Sequence, residues 1–384
     1  MSKFFKILLL IFLSLSNFYF SPVLAEEKIK IGLLVPTTGD NKHLGQQIIK
    51  SARIALKEIG SEKIEIYLKD TNSDPNKTLK SATELKDMGI KVVIGPIFYE
   101  SLERLNEINN ITFISFTNKT QNIPKNTIAF GINIESQIEA LKKYFSKIKV
   151  SKTILLSPKS VFVDQSKLVT QKDILKFYRT YKYDTDPKKI TGAIEKITNY
   201  RERKKDLERR IKILEKSDLF KHKEELKTLE QRHTLGEVNF DSVVIIDFGE
   251  SLKSVLTSFV FSDVSSEEVR FFTVNQWFDK SFFNENALLN LHFPAINLKN
   301  FNKFNKKFKN TFNKSPNEIS ILAYDALGLV YHCWHTNNFQ FKKNQLFNKK
   351  GFKGMHGKFF IEDNISKQKL KIYKVSDKKF VEVY

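Results

Sequence analysis

The chain has 384 residues, of which 41% are hydrophobic, and a formal net charge of +21. This apolar content excludes a disordered chain, and the length predicts two or three domains. The single cysteine, Cys333, excludes an intrachain disulfide framework and a cysteine-rich zinc module. Only nine of the 64 basic residues are arginine, the residue best suited to paired hydrogen bonds with phosphates and bases, so we expect no nucleic-acid partner.

The first 25 residues have the pattern of a cleaved secretory signal. Lys3 and Lys6 precede the uncharged apolar run 7–15, and residues 22–25 end in a site that signal peptidase accepts. The alternative is an N-terminal membrane anchor, but the run is short for a bilayer span of about 20 residues. We therefore expect cleavage after Ala25 and export from the cytoplasm.

Strands and helices alternate from residue 29 onward. Continuous apolar runs predict buried strands over residues 29–35, 64–68, 91–96 and 112–116. Apolar residues at helical spacing predict helices over residues 45–59, 79–88 and 102–108. Such alternation is typical of a parallel sheet covered by helices on both faces.

The same pattern restarts after residue 146. It predicts strands over residues 152–157, 177–183, 241–247 and 269–274, and helices over 168–177, 301–312 and 319–334. Two alternating strands, 358–361 and 370–375, end the chain. We therefore predict an α/β protein of two lobes, each built on a doubly wound parallel sheet.

One segment, residues 188–232, interrupts this rhythm and carries fifteen basic and nine acidic residues. Its apolar residues follow a helical stripe that breaks between Arg201 and Asp206 and then resumes. We interpret this segment, called the basic arm below, as a long helix or helical hairpin protruding from the second lobe. It is either a solvated arm without a partner or a surface that binds one.

No catalytic or nucleotide-binding motif has the required spacing. Residues 354–358 imitate a phosphate-binding loop, but Phe359 stands where a hydroxyl is needed. Asp70 and Asp74 could form a pair of carboxylates, although a loop that caps the next helix explains them better. We expect no enzyme activity and no cofactor.

The cluster formed by His332, Cys333, Trp334 and His335 resembles a metal site at first sight. Cys333 and Trp334, however, continue the apolar stripe of the predicted helix 319–334. Core packing is therefore favoured over metal binding, and we expect no metal.

Binding remains, and the loops that follow the strands are its expected place, because ligands of parallel α/β sheets lie beyond the carboxyl ends of the strands. The candidate ligand-binding residues in these loops are Tyr99, Ser101, Thr117, Asn118, Phe248, Gln276 and Trp277. The rings suit an apolar or sugar face, and the hydroxyl and amide groups can fix polar groups. The alternatives are ordinary helix caps, or a closed cleft in which Phe98, Phe162 and Trp277 pack against each other.

Short segments in this order resemble the type I periplasmic binding protein fold, in the leucine-binding family: residues 31–39 with Gly45, 70–75, 93–96, 293–295 and 323–326. The resemblance implies a non-enzymatic, periplasmic clamshell that closes on a small ligand, usually to supply an ABC transporter. It places residues 28–146 and 294–357 in the first lobe and residues 147–293 and 358–384 in the second. Three crossings are then expected, near residues 146, 293 and 358.

The loops depart from the members of this family that bind amino acids. Those members commonly carry a Tyr-Gly pair near the positions of Val161 and Phe162, and an acid where Gln276 stands. The segments 95–98, 241–250 and 277–279 look more like a sister branch, the penicillin-binding-protein activators. That resemblance implies a peptidoglycan synthase as partner. The alternative is an ABC transporter permease in the inner membrane, with a small molecule such as an amino acid in the cleft.

Overall fold

The computed structural model describes residues 28–159 and 175–384. The expected signal sequence, Val161, Phe162 and nearly all of the predicted helix 168–177 lie outside the described residues. The described residues form two lobes, each with its own mostly parallel sheet and helices. The predicted α/β architecture of two lobes is therefore confirmed.

The first sheet has eight strands: β1 (Ile29–Val35), β2 (Ile64–Asp70), β3 (Val92–Ile94), β4 (Thr112–Ser115), β5 (Thr127–Ala129), β11 (Phe352–Lys353), β12 (Lys358–Glu362) and β13 (Ile365–Gln368). Their order is β11-β12-β13-β5-β4-β3-β1-β2. The five strands from the first part of the chain, together with β13, are joined by parallel pairs. β11 and β12 extend the sheet in antiparallel pairs.

The second sheet has seven strands: β6 (Thr153–Pro158), β7 (Arg179–Tyr183), β8 (Ser242–Ile245), β9 (Arg270–Thr273), β10 (His292–Ala295), β14 (Lys371–Ser376) and β15 (Lys379–Glu382). Their order is β15-β14-β10-β9-β8-β6-β7. β6 to β10 pair in parallel, while β14 and β15 are antiparallel.

Nine α-helices accompany the strands within the described residues: α1 (Lys42–Ile59), α2 (Pro75–Asp87), α3 (Ile134–Ile148), α4 (Pro187–Ile197), α5 (Tyr200–Leu214), α6 (Phe220–Leu229), α7 (Gly249–Phe261), α8 (Leu298–Phe312) and α9 (Ser320–Thr336). Local chemistry sets several of the ends. Asp74 caps α2 by accepting a hydrogen bond from the Lys77 amide at 2.7 Å, and Pro75 occupies the first turn, where no N–H partner is needed. None of the helices within 28–159 and 175–384 is both long and apolar enough to span a membrane.

The chain crosses between the two sheets three times. It leaves the first sheet after Ala129, returns to it after Ala295, and leaves again between Gln368 and Lys371. The expectation of a third crossing near residue 358 is wrong. The reason is that β12 pairs with β13, and β13 pairs with β5 in the first sheet, so residues 358–368 belong to the first lobe.

The predicted helix over residues 102–108 is also wrong. Two short 3-10 turns, Glu100–Leu102 and Leu105–Glu107, stand in its place. The Asn126 side-chain amide donates to the carbonyls of Leu105 and Ile108, at 2.7 and 2.8 Å. These carbonyls are satisfied from another segment, so a further helical turn is not needed to pair them.

The helix α3 contacts both lobes. Near its start, Asn133 donates to the Ser366 carbonyl at 2.6 Å, and the Ser136 hydroxyl accepts from the Gln368 amide at 3.0 Å, so this end is bonded to β13. Near its other end, the ring of Phe145 lies 4.6 Å from that of Phe272 on β9. One helix therefore joins the two sheets through polar contacts at one end and apolar contacts at the other.

The basic arm consists of α4, α5 and α6, inserted between β7 and β8. α4 packs on α7 of the second lobe. α5 and α6 form a hairpin with its own apolar cluster of Leu207, Leu214 and Leu229. The Arg210 guanidinium pairs with both oxygens of Glu225 across this hairpin, each at 2.8 Å.

The side chain of Asp70 fixes the loops at the carboxyl ends of β1 and β2. It accepts hydrogen bonds from the amides of Thr37 and Asn72, at 2.7 and 2.9 Å, and from Lys77 at 2.5 Å. Burial alone would raise the pKa of this carboxyl, but the hydrogen bonds, from Lys77 and Thr38 above all, hold its pKa far below the usual range. Asp70 is thus a structural anchor rather than half of a catalytic pair.

Replacing Asp70 by Asn should lower the free energy of unfolding at pH 7 by about 2 kcal/mol, because the charged acceptor of several hydrogen bonds is lost. A carboxyl with a lowered pKa stabilises the fold above the unfolded-state pKa of about 4, and this contribution disappears as the pH falls further. Urea unfolding should therefore show a gap between wild type and Asp70→Asn that narrows between pH 4 and pH 3. The exposed Asp87→Asn is the control. A gap that is the same at pH 7 and pH 3 would contradict this assignment.

Candidate functional site

A cavity of about 390 Å³ lies between the two lobes. Its wall on the first lobe comes from the loops after β3, β4 and β5 and from the start of α9. Its described wall on the second lobe comes from the loops after β9 and β10. The lining is largely apolar, with side chains that include Ile97, Phe98, Phe116, Ile319 and Leu322. Its volume is at the lower end of the range for sites that hold small organic molecules.

The structure brings together five of the seven candidate residues. Tyr99, Thr117, Asn118, Gln276 and Trp277 all line the cavity. They converge because the carboxyl ends of parallel strands meet at one edge of each sheet, and these edges face each other across the cleft.

Two candidates do not line the cavity. Ser101 is 2% exposed, within a 3-10 turn, and its hydroxyl has no hydrogen-bond partner among the described residues. Phe248 is 49% exposed and stands at the start of α7. The strand-end rule finds the correct edge of the sheet, but it does not give the direction of each side chain.

Two backbone N–H groups in the first-lobe wall already have partners within the protein. The Thr117 amide donates to the Ser115 hydroxyl, and the Lys119 amide donates to the Thr117 hydroxyl, each at 3.2 Å. These amides are therefore not available to a ligand carboxylate. The Thr117 hydroxyl keeps its own hydrogen and one lone pair for additional bonds.

A charged group stands at the same wall but is also paired. The Lys119 ammonium lies 4.2 Å from the centre of the Tyr99 ring and 3.6 Å from a Glu100 carboxylate oxygen. Cation–π contact and the ion pair together hold Lys119 against its own lobe.

The second-lobe wall uses its amides for structure as well. Gln276 is 8% exposed, and its side-chain amide donates to the carbonyls of Asp247 and Val274, at 3.1 and 3.0 Å. Beside it, Gln137 on α3 donates to the Asn275 side chain at 2.9 Å and accepts from the Asn275 amide at 2.6 Å. This reciprocal pair joins α3 directly to the loop that follows β9.

Trp277 connects the loop after β9 with the opposite lobe. Its ring centre lies 6.2 Å from that of Phe301 on α8, and it packs against the main apolar core. The next residue, Phe278, contacts Phe301 and Tyr373 at ring distances of 5.3 and 4.9 Å. Both rings therefore contribute to packing between segments, whatever else enters the cavity.

The sequence analysis missed one ionisable group of the cavity, Glu318. Its side chain keeps contact with solvent inside the cleft, but the protein atoms packed around it raise its pKa, and the carboxylate of Asp279 raises it further. Glu318 precedes α9 and follows no predicted strand. Only its position directly before the apolar helix could have drawn attention to it.

The rejected catalytic motifs have packing roles in the structure. Cys333 and Trp334 are each 2% exposed in α9, and burial raises the pKa of the Cys333 thiol to about 12. The turn at residues 354–357 offers its amides to the protein itself, since Met355 and His356 donate to the Asp325 carboxylate, both at 2.7 Å. The described residues contain no group of three His, Cys, Asp or Glu side chains that could hold a metal ion.

Residues 28–175 match a family model described as periplasmic binding protein. A 73-residue segment is 38% identical to a Leu/Ile/Val-binding protein homologue from Brucella abortus, and it covers 17% of this chain. The match spans only 20% of that relative's length.

Solved structures extend the similarity to the whole described chain. An ABC transporter protein from Rhodospirillum rubrum, with branched-chain amino acids as its proposed substrate, has a TM-score of 0.72 at 10% identity and covers 93% of this chain and 100% of its own. The C-domain of LpoA from Haemophilus influenzae, a regulator of PBP1A, scores 0.62 at 15% identity, covering 92% and 100%. A solute-binding protein from Rhodopseudomonas palustris, in complex with 3,4-dihydroxybenzoic acid, scores 0.60 at 14% identity, covering 93% and 96%. The resemblance to the type I periplasmic binding protein fold is thus confirmed.

Replacing Trp277 by Ala should lower the free energy of unfolding of the empty protein by about 2 kcal/mol, because the indole loses its contacts with Phe301 and the core. Phe248→Ala is the matched control and should cost less, since half of that ring is exposed. Guanidinium unfolding of both variants measures the two losses. Equal stability of Trp277→Ala and wild type would show that Trp277 has no packing role.

Proposed function

We propose that this chain, which has the type I periplasmic binding protein fold, is a non-enzymatic binding protein of the bacterial cell envelope that acts by contacting a peptidoglycan synthase. The proposal follows the resemblance of residues 95–98, 241–250 and 277–279 to the penicillin-binding-protein activators. The expected signal sequence supports a periplasmic location.

The observation that carries this proposal is that polar groups on both described walls of the cleft are already hydrogen-bonded within the protein. The amides of Thr117 and Lys119 and the side chains of Gln276 and Gln137 all bond to other parts of the chain. An amino-acid zwitterion needs free hydrogen-bond donors for its carboxylate. A buried carboxylate that finds no such donors is left unpaired, which makes its binding unfavourable. Because these four groups are not free to bind a ligand, the cleft favours a protein that works through its outer surface.

The similarity to the LpoA C-domain supports the same role at the level of fold. It extends over that entire domain, and LpoA is described as a regulator of PBP1A. At 15% identity, this similarity supports the proposed contact with a synthase through the shared fold.

A second function, delivery of a small solute to an ABC transporter permease, is favoured by the cavity itself. Its apolar walls suit a compact apolar or aromatic solute, and the structural relative from Rhodopseudomonas palustris holds a dihydroxybenzoic acid. When its carboxyl is ionised, Glu318 would repel an anionic group of the solute at its end of the cavity.

Glycan-strand polymerisation by a purified bifunctional peptidoglycan synthase from the same organism should accelerate when the protein is added at stoichiometric amounts. The expected effect is a several-fold increase in rate that saturates with concentration, because the protein acts by binding and not by turnover. Heat-unfolded protein is the control. An unchanged rate, with no complex detected by analytical ultracentrifugation, would refute the activator role.

Thermal-shift measurements with leucine, isoleucine and benzoates test the second function on the same preparation. A solute that binds the cavity should stabilise the protein by about 2.7 kcal/mol at a hundredfold excess over its dissociation constant. Leu322→Phe, which fills part of the cavity, should abolish this shift. A stabilising shift together with no effect on the synthase would replace the activator role by solute delivery.

A further inference from the structure

The hairpin of α5 and α6 ends in an exposed apolar tip, and we propose that this tip docks the protein on an anionic lipid surface. The tip consists of Ile213, Leu219 and Phe220, which are 55%, 63% and 76% exposed. Phe220 is the most exposed large apolar side chain of the described residues. Exposed apolar side chains that stand together, rather than singly, mark places where a protein meets a partner or a membrane.

The hairpin is fixed to the second lobe at its base, so its tip is held in a defined place. Arg203 is 8% exposed, and its guanidinium donates to the carbonyls of Gly236, Ser262 and Asp263 at 3.1 to 3.3 Å. Two of these carbonyls follow the end of α7. The Thr234 hydroxyl adds a bond to the Asp263 carboxylate at 2.7 Å.

The hairpin does not need the tip residues for its own packing. Its apolar cluster is formed by Leu207, Leu214 and Leu229, with Ile211 and Leu226 partly buried against it. From Arg203 at the base to Leu214 the helix advances about 16 Å, at 1.5 Å per residue. Ile213 faces away from this cluster, and Leu219 and Phe220 lie beyond it, in the turn and the first position of α6.

Four lysines stand within three residues of a tip residue in the sequence. Lys212, Lys216, Lys221 and Lys223 are all exposed, and within the described part of the chain none of them pairs with a carboxylate. Two acids, Glu215 and Asp218, are interspersed among them. The immediate surroundings of the tip are therefore positively charged, on a chain whose formal charge is +21.

An apolar tip flanked by lysines matches the two layers of an anionic bilayer surface. Leucine and phenylalanine side chains can insert at the boundary of the acyl chains, while lysines extend their ammonium groups to the lipid phosphates. A surface that binds a groove on another protein is usually broader, and its apolar centre is rich in aromatic and arginine side chains. The narrow, lysine-flanked tip favours the lipid surface. This inference holds for either proposed function, since a synthase and a permease both reside in the inner membrane.

Co-sedimentation with vesicles of phosphatidylcholine, with and without phosphatidylglycerol, tests the proposal on the purified protein. We expect binding to the phosphatidylglycerol vesicles that weakens as salt is raised. The double variant Leu219→Ser/Phe220→Ser should reduce this affinity at least tenfold. The matched control Leu68→Ser/Met88→Ser removes two exposed apolar side chains of the first lobe and should stay within twofold of wild type. Thermal midpoints of all variants should agree, because each position is exposed.

A second measurement reports insertion directly. In Phe220→Trp, the new indole should shift its emission to the blue on phosphatidylglycerol vesicles and be quenched by brominated lipid, beyond the signal of Trp277 and Trp334 in wild type. Absence of vesicle binding, or equal binding by the Leu219→Ser/Phe220→Ser variant, would overturn the proposal. Unchanged vesicle binding with loss of synthase stimulation in that variant would also overturn it, and would assign the tip to a protein partner.

Discussion

The arrangement of the two lobes depends on one helix, α3, which is bonded to both. Its first turn is tied to β13 through Asn133 and Ser136, and its last turn packs Phe145 on Phe272 of β9. Between these ends, Gln137 exchanges two hydrogen bonds with Asn275 at the mouth of the cavity. The end of the helix lies in a buried environment. Tyr144 on this helix contacts His292, and burial lowers the pKa of His292 to about 4.

This bridge has a direct consequence for the cleft. Gln137 and Gln276 are polar side chains of the cavity lining, and both hold the loop that follows β9. Trp277 completes the bridge by packing on Phe301. The cleft is thus built mainly as a joint between lobes, with a small apolar cavity left inside it. A protein of this kind can contribute a rigid outer surface, and the anchored hairpin of the basic arm is one such surface.

Much of this architecture could be predicted from the sequence. Buried parallel strands appear as continuous apolar runs, and the helices between them show apolar residues at helical spacing. The short strands β5, β11 and β15 could not, since runs of two to four residues are too short to show a strand pattern. α3 was overlooked although Ile134, Ile138, Leu141 and Phe145 recur at helical spacing. In the site, the expectation that ligands lie beyond the carboxyl ends of the strands located Tyr99 and Trp277. It did not reveal that the Gln276 side chain bonds to backbone carbonyls. It also did not reveal Glu318, which lines the cavity from the residues just before α9.

Small-angle X-ray scattering of the protein, alone and with saturating leucine or benzoate, measures most directly whether α3 holds the lobes in one arrangement. A clamshell that closes on its ligand contracts when the ligand is added. Our account predicts the same radius of gyration and the same distance distribution in every case, because the bonds of Gln137 and the packing of Trp277 already join the lobes. A contraction that appears with either solute and saturates with its concentration would contradict it.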